Sequence, residues 1–459
     1  MSDVAAPAAS GRHVLRLAAL SMAMLLPSLG TSIANVALPA LEEAFGASFP
    51  QVQWIVLGYL LAATASIVAA GRLGDAFGRR LTLLGGMALF TAASALGLAA
   101  PTLWSLVALR FIQGAAAAAM IALAVALVGD VIPRQRAGAA MGLLGTVSAV
   151  GTALGPIAGG LLVSWFGWRG VFGMMAAAGV AGLVTSGLAL PAAKRFKVDE
   201  TFDWMGAILL AVALGAFALS TTIGLASSLQ LAAALAVAAA LALAAFVALE
   251  ARARAPLVRL SLLGQSHLGV SLLAMAAVSA IVMATLVAGP FFLTSTLHLG
   301  TGTTGLVMSV GPLVAALAGA PAGRMVDRMG SRPMSMAGLA GVTLGSLLMS
   351  GLPAMLGVPG YLIALSTLTA GYAVFQAANT TAIMAGVAAD QRGVVSGLAG
   401  LSRNLGLIAG ASALGAIFAG ATEAGLGPLP PGGNTGLAVT FAVSAALAAL
   451  SAVLIARGR

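Results

Sequence analysis

The sequence predicts an all-α polytopic membrane protein that crosses the bilayer fourteen times, as two like-oriented six-helix bundles with a helical pair inserted between them. Three observations carry this expectation. The 459-residue chain is 60% hydrophobic and only 7% charged, whereas a soluble domain carries about 25% charged residues. Its apolar residues fall into long runs, each near the roughly 20 residues that a spanning helix requires. A charged stretch after the second run, Gly71-Arg72-Leu73-Gly74-Asp75-Ala76-Phe77-Gly78-Arg79-Arg80, returns downstream as Gly323-Arg324-Met325-Val326-Asp327-Arg328-Met329-Gly330-Ser331-Arg332.

Taken in order, six runs open the chain near 14–40, 52–71, 81–100, 103–129, 137–164 and 168–190. The first is too long and too studded with polar residues for a cleaved signal peptide, and reads as a permanent span. Between the second and third, the charged stretch is expected to be a short turn whose glycines permit the reversal. A charged joint, Lys194 to Glu200, precedes two more runs at 204–223 and 228–250. A second basic joint with Arg252, Arg254 and Arg259 follows, then six runs near 267–297, 303–322, 333–352, 358–386, 394–420 and 436–456. The first bundle is therefore expected over 1–192, the inserted pair over 193–262 and the second bundle over 263–459.

Charge supports the count. With both termini in the cytoplasm, the inner side holds Arg12, Arg16, Arg72, Arg79, Arg80, Arg134, Arg136 and both joints. It also holds Arg324, Arg328, Arg332, Arg392, Arg457 and Arg459, while the outer side keeps Glu42, Glu43, Arg169, His298 and Glu423. Moving one span would scramble this positive-inside asymmetry. The net charge of +10 is spread through short gaps rather than gathered in one patch, so no nucleic-acid partner is expected. The chain has no cysteine, which removes disulfide and thiolate chemistry. It shows no P-loop, no zinc-ligand spacing and no serine–histidine pairing among its three histidines. No enzyme activity, cofactor or metal is expected, and any transport must run on gradients.

The halves repeat at a nearly constant offset. Asp75 and Asp327 are 252 residues apart, Gln135-Arg136 and Gln391-Arg392 are 256 apart, and Gly151 and Gly155 map onto Gly406 and Gly410 at 255. Parallel repeats of this kind place a substrate site near the midplane, where the halves meet.

At these residues the chain resembles the major facilitator superfamily, in its fourteen-helix drug:proton antiporter branch, over essentially its whole length. Gly71, Leu73, Asp75, Gly78, Arg79 and Arg80 match the loop signature of that superfamily, although Ala76 stands where a basic residue is usual. The resemblance implies a latch at the cytoplasmic face that works with Asp130, Arg134 and Arg136, with a looser copy at Asp327 and Arg328. The fifth run carries Gly151, Gly155, Pro156, Gly159 and Gly160, similar to the motif typical of exporters. The fourth run, Leu106 to Gly114, is similar to the buried-arginine motif and includes Arg110 and Gln113. A guanidinium inside a span faces the bundle interior. Two roles stay open for it: proton or substrate work in a cavity, or donation to backbone carbonyls of a neighbouring helix.

Candidate cavity residues come from several runs. Tyr372, Phe375, Gln376 and Asn379 are spaced three and four apart and share one helix face. Phe291 and Phe292 lie beside Pro290, and the first run offers Thr31, Ser32 and Asn35. The second offers Tyr59, with Trp54 as either a cavity aromatic or an interfacial anchor. Arg403 and Asn404 lie deep in the thirteenth run, and two roles stay open for Arg403: a charge in the cavity, or a cap on backbone carbonyls at the cytoplasmic gate. No carboxylate stands near the middle of any run, and Gly30 occupies a position where many relatives have an aspartate. Proton coupling then falls to Asp75, Asp130, Asp327 or His298, or to the substrate itself. With arginines inside and no acid, the cavity is expected to suit neutral or anionic amphiphiles better than lipophilic dications.

The resulting expectation is a monomeric secondary exporter of hydrophobic or amphiphilic small molecules, embedded in the lipid of a bacterial cytoplasmic membrane and working by proton antiport. A dedicated exporter of one endogenous metabolite, and an uncoupled facilitator or non-transporting sensor, are the alternatives.

Overall fold

In hydrocarbon, backbone N–H and C=O groups find no water, so a chain this apolar must satisfy them within its own helices. The computed structural model describes residues 6–132, 134–191, 204–224, 228–252, 266–385, 387, 392–424 and 435–457, and contains no strand among them. The first half holds α1 (Ala6–Val36), α2 (Trp54–Phe77), α3 (Arg79–Gly97), α4 (Leu103–Val131), α5 (Arg134–Phe166) and α6 (Trp168–Ala189). The inserted pair is α7 (Trp204–Leu219, widening into a π turn at Ser220–Gly224) and α8 (Leu229–Glu250). The second half holds α9 (Ser266–Phe291, with a π turn at Phe292–Thr296), α10 (Thr301–Met329), α11 (Ser331–Leu356) and α12 (Val358–Met384). It ends with α13 (Arg392–Ala409, then a π turn at Gly410–Leu414 and a last stretch Gly415–Ala424) and α14 (Thr435–Arg457). Thirteen of these segments are long and apolar enough to cross a membrane; the fourteenth, α2, is 24 residues long.

The charged repeats are not the turns that the sequence suggested. Helix α2 continues through Gly71 and Asp75 to Phe77, and the reversal is a single residue, Gly78, at φ 97°. Helix α10 likewise continues to Met329 and reverses at Gly330, at φ 88°. Positive φ in this region excludes side chains, so one glycine suffices and the rest of the stretch adds a helical turn to the span. The joint residues 194–200, Arg254 and Arg259 lie outside the described residues, as do the side chains of Asp75, Arg134 and Arg136.

Between membrane helices, small residues allow the close approach that supplies packing energy. The repeated glycines do the same job in each half. A Cβ at Gly151 or Gly159 would fall within 3 Å of Leu25 or Ile33 carbonyl oxygens, so α5 lies directly on α1. Gly406 and Gly410 bring α13 against the Ala276 and Ala280 carbonyls of α9 in the same way. In α11 and α12, Gly338 meets the Phe375 backbone, Gly341 meets Gly371, and Gly345 meets Leu368. The two halves touch each other most closely where Gly160 of α5 crosses Thr301 and Gly305 of α10.

That crossing belongs to a seal at the face opposite the chain termini. After α1, two short helices, Leu38–Phe45 and Phe49–Val52, fold over this end. The Phe49 ring meets Phe291 edge-on at 4.6 Å and Phe418 at 5.3 Å. Gln53 Nε2 donates to Ala411 O at 3.0 Å, inside the π turn of α13, and Trp54 Nε1 donates to Thr222 Oγ1 of α7 at 3.2 Å. One short segment thus ties together the first half, the second half and the inserted pair. Helix α8 stays peripheral: its buried residues, Ala232, Ala239, Phe246 and Glu250, form a single stripe.

The first half has a second tie. Arg110 of α4 is fully buried; its Nε donates to Ile55 O of α2 at 2.9 Å, and Nη2 donates to Gly30 O of α1 at 2.8 Å. Nη1 donates to Gln113 Oε1, and Gln113 Nε2 donates to Ser94 Oγ of α3 at 2.7 Å. The guanidinium also lies 4.3 Å over the Tyr59 ring, whose hydroxyl donates to Pro27 O. One side chain therefore binds four helices, the second of the two roles that the sequence left open. Breaking one partner of a buried charged network costs on the order of 3 kcal/mol. Arg110→Ala and Arg110→Lys are both expected to lower the melting temperature of the purified protein with no ligand present, because an ammonium cannot span three acceptors. An Arg110→Lys protein that melts like wild type would contradict this structural role.

Candidate functional site

Eight helices, α1, α2, α4 and α5 from the first half and α9, α10, α12 and α13 from the second, enclose a cavity of about 770 Å³. Small-molecule sites run to roughly 300–1,000 Å³. No residue of α7 or α8 lines it. At the sealed face the cavity ends below Tyr361 and Met308. At the face of the termini it runs out between exposed Gly145, Ala316, Thr380 and Thr381. Glycines Gly142 and Gly145 of α5, Gly319 and Gly323 of α10, and Gly397 and Gly400 of α13 have open space where a Cβ would stand. The same three helices that interlock through glycine near one face are thus splayed apart at the other.

The two walls differ in chemistry. In the first half, most hydroxyls are returned to their own helix: Thr31 donates to Pro27 O, Ser32 to Ser28 O and Thr152 to Ser148 O. Ser28 and Ser148 bond to each other, and Tyr59 donates to Pro27 O. What that wall presents to a ligand is apolar surface from Met24, Leu60, Ile67 and Ile121. The second half returns hydroxyls in the same way, Thr285 to Val282 O, Thr369 to Leu365 O and Thr381 to Ala377 O, but adds longer polar side chains. Gln376 Oε1 and Ser279 Oγ are buried without a hydrogen-bond partner, and Arg403 and Asn404 line the same region. Among the described residues no Asp, Glu or Lys lines the cavity.

Of the residues expected from sequence, Thr31, Ser32, Tyr59, Tyr372, Gln376 and Arg403 line this cavity. Arg110 and Gln113 lie behind the wall, in the four-helix tie. Asn35 donates to Thr31 O within α1. Phe291 belongs to the seal with Phe49, and Phe292 stacks on Tyr361 at 6.0 Å. Phe375 is packed against Gly338 of α11, and Asn379 donates to Ser271 O of α9 at 3.0 Å. The lining face of α12 runs instead through Thr369, Tyr372, Gln376 and Thr380. It is the expected stripe turned by about one residue around the helix. Thr369, Thr380 and Ser279 were missed. Polar residues at spacings of three and four in an apolar span were the available signal. Trp54, through Thr222, is part of the seal rather than an anchor in the interface. His298 is exposed near the sealed face, outside the cavity.

At the face of the termini, Arg79 Nη1 lies 3.0 and 3.1 Å from the two Asp130 carboxylate oxygens, joining α3 to the end of α4. Both side chains are about a quarter exposed, so solvent weakens this pair. Arg80 Nη2 donates to Gly187 O near the end of α6 at 2.8 Å. The second half repeats that contact one offset later: Arg332 Nη2 donates to Ala456 O of α14 at 2.6 Å. Asp327 and Arg328, expected as the second latch, are exposed, and among the described residues no ion pair holds them. Arg332 is the repeated element there.

The family model described as Major Facilitator Superfamily matches residues 20–411. A multidrug resistance protein, Stp, of Mycobacterium tuberculosis is 30% identical over 420 residues, which cover 91% of this chain and 78% of that one. A tetracenomycin C resistance and export protein of Streptomyces glaucescens is 37% identical over 205 residues, 44% of this chain and 38% of its own length. A crystal structure of a D-xylose-proton symporter superposes with a TM-score of 0.70 over 97% of each chain, at 14% identity, and shares the fold. The glycine-interlocked halves around a shared cavity, the match over most of the length and the near full-length relative agree: this chain is a multi-pass membrane protein that belongs to the Major Facilitator Superfamily.

Proposed function

We propose that the protein exports hydrophobic or amphiphilic small molecules across a bacterial cytoplasmic membrane by alternating access, as a monomer with both termini in the cytoplasm and at the expense of a proton gradient. The observation that carries this reading is the mostly apolar cavity between two halves, sealed by glycine crossings at one face and open at the other. Such a cavity loads from the side of the termini and releases at the sealed side once the halves rock. The names of the relatives, a multidrug resistance protein and a resistance and export protein, support drug-like cargo and the outward direction. Without a carboxylate among the described lining residues, proton exchange falls to Asp130, Asp327 and Asp75 at the face of the termini.

Proteoliposomes with an imposed pH gradient test the coupling. Concentrative export is expected while the gradient stands and is expected to stop when nigericin collapses it. Movement of cargo that only equilibrates, gradient or not, would identify a facilitator and end the antiport reading.

The rocking motion has its own test. Gly142→Leu and Gly323→Leu fill open space in this conformation and would collide when the face of the termini closes. Each variant is expected to keep wild-type thermal stability and lose export. Wild-type flux in both would mean that α5 and α10 do not converge there.

A further inference from the structure

We propose that the cavity selects amphiphiles bearing one anionic group, such as a carboxylate, sulfonate or ionised phenol, which pairs with Arg403 while the apolar body lies against the wall of the first half. This deepens the export reading and relies on it only for what happens to the bound molecule.

Arg403 stands eleven residues past the start of α13 at Arg392, roughly 16 Å along the helix at 1.5 Å per residue. It lines the cavity and is exposed to it, and it makes no hydrogen bond or ion pair with a described residue. Arg110 shows the contrast, with all three of its guanidinium nitrogens engaged. An arginine this deep in a membrane protein ordinarily has a partner, and its planar fork matches a carboxylate or sulfonate through two parallel hydrogen bonds. Beside it on the same wall are the unpartnered Ser279 hydroxyl, in a residue only 2% exposed, and the unpartnered Gln376 amide oxygen. Both atoms are closed off from the lumen, so the polar groups an occupant meets there are Arg403 and Asn404.

A cationic ligand fits poorly. No carboxylate among the described lining residues would neutralise it, and it would be held near a fixed positive charge. Aromatic faces can hold a cation in the absence of acids. Here the Tyr59 ring already carries the Arg110 guanidinium at 4.3 Å, and Tyr361 is stacked on Phe292. That leaves Tyr372, which lies within the electrostatic reach of Arg403.

The test uses the full chain in nanodiscs and three probes of one size: a fluorescent monocarboxylate, its uncharged methyl ester and a quaternary ammonium analogue. Wild type is expected to bind the carboxylate most tightly. Arg403→Gln is expected to weaken that binding by at least about tenfold, the loss of one charge-assisted contact, and to leave the ester almost unchanged. Arg403→Lys should fall between, and Arg403→Glu should favour the quaternary ammonium. Preference of the wild type for the quaternary ammonium would overturn the proposal. So would equal losses of acid and ester in Arg403→Gln, which mark a structural role, or no binding of the carboxylate at all. If the Gln variant fails to fold, the probe order of the wild type and the Lys variant still decides. Flux of the same probes in proteoliposomes separates this from the export reading. Selective binding without flux ends that reading alone, and flux of all three without preference ends this one.

Discussion

Lipid is as apolar as leucine, so no hydrophobic force drives these helices together; contact itself must supply the energy. Everything else in the structure follows from where the chain allows backbones to touch. Glycine provides the contact at Gly151, Gly155 and Gly159 on α1, at Gly406 and Gly410 on α9, and at Gly160 and Gly305 between the halves. Because each contact needs both backbones at near-zero separation, it is made or lost as a unit rather than stretched. The halves therefore have discrete ways to meet. Near the sealed face α5 and α10 interlock; near the termini Gly142, Gly145, Gly319 and Gly323 on the same helices meet nothing. A second set of contact points is thus already present, held apart while the first is engaged.

The two halves share a plan but not a glue. The first is pinned by a buried guanidinium that reaches three helices directly and a fourth through Gln113 and Ser94. The second pins α11 to α12 by glycine alone, at Gly338, Gly341, Gly345 and Gly371. The first solution places a charge network next to the cavity and closes it off, while the hydroxyls of that wall are spent within their own helices or on each other. The second wall returns Thr285, Thr369 and Thr381 to their own helices as well. The asymmetry of the lumen lies in the longer polar side chains of Gln376, Arg403 and Asn404, which the first wall does not match.

Much of this was legible in the sequence. Span number, the 252-to-256-residue repeat, the glycine-rich fifth helix and the carboxylate-free interior all follow from composition and spacing. What was not legible depended on rotation and depth. The α12 stripe was placed one residue too far round the helix, because Phe375 and Asn379 are as polar or as large as any cavity residue and periodicity cannot say which edge of a stripe meets a neighbour. Gly338 decides it, by drawing α11 onto Phe375. Arg110 was ambiguous for a related reason: a carbonyl acceptor such as Gly30 O or Ile55 O leaves no mark in the sequence. The glycines at 71 and 74 looked like turn residues, yet only Gly78 has the backbone that a turn demands.

A lumen without carboxylates also limits how protons can act on it. Among the described lining residues there is no Asp, Glu, Lys or His, so the fixed charge that a ligand meets there is the Arg403 guanidinium. Release must then come from geometry, by moving the wall of the first half away from Arg403 and Asn404, rather than by neutralising the site. Carboxylates stand instead at the face of the termini, where Asp130 is tied to Arg79 across α3 and α4 and Asp327 has no ion pair with a described residue. The proposed proton exchange and the proposed ligand contact therefore lie in different parts of the molecule. Helix α4 spans both: it carries Asp130 at one end and the Arg110 tie towards the other.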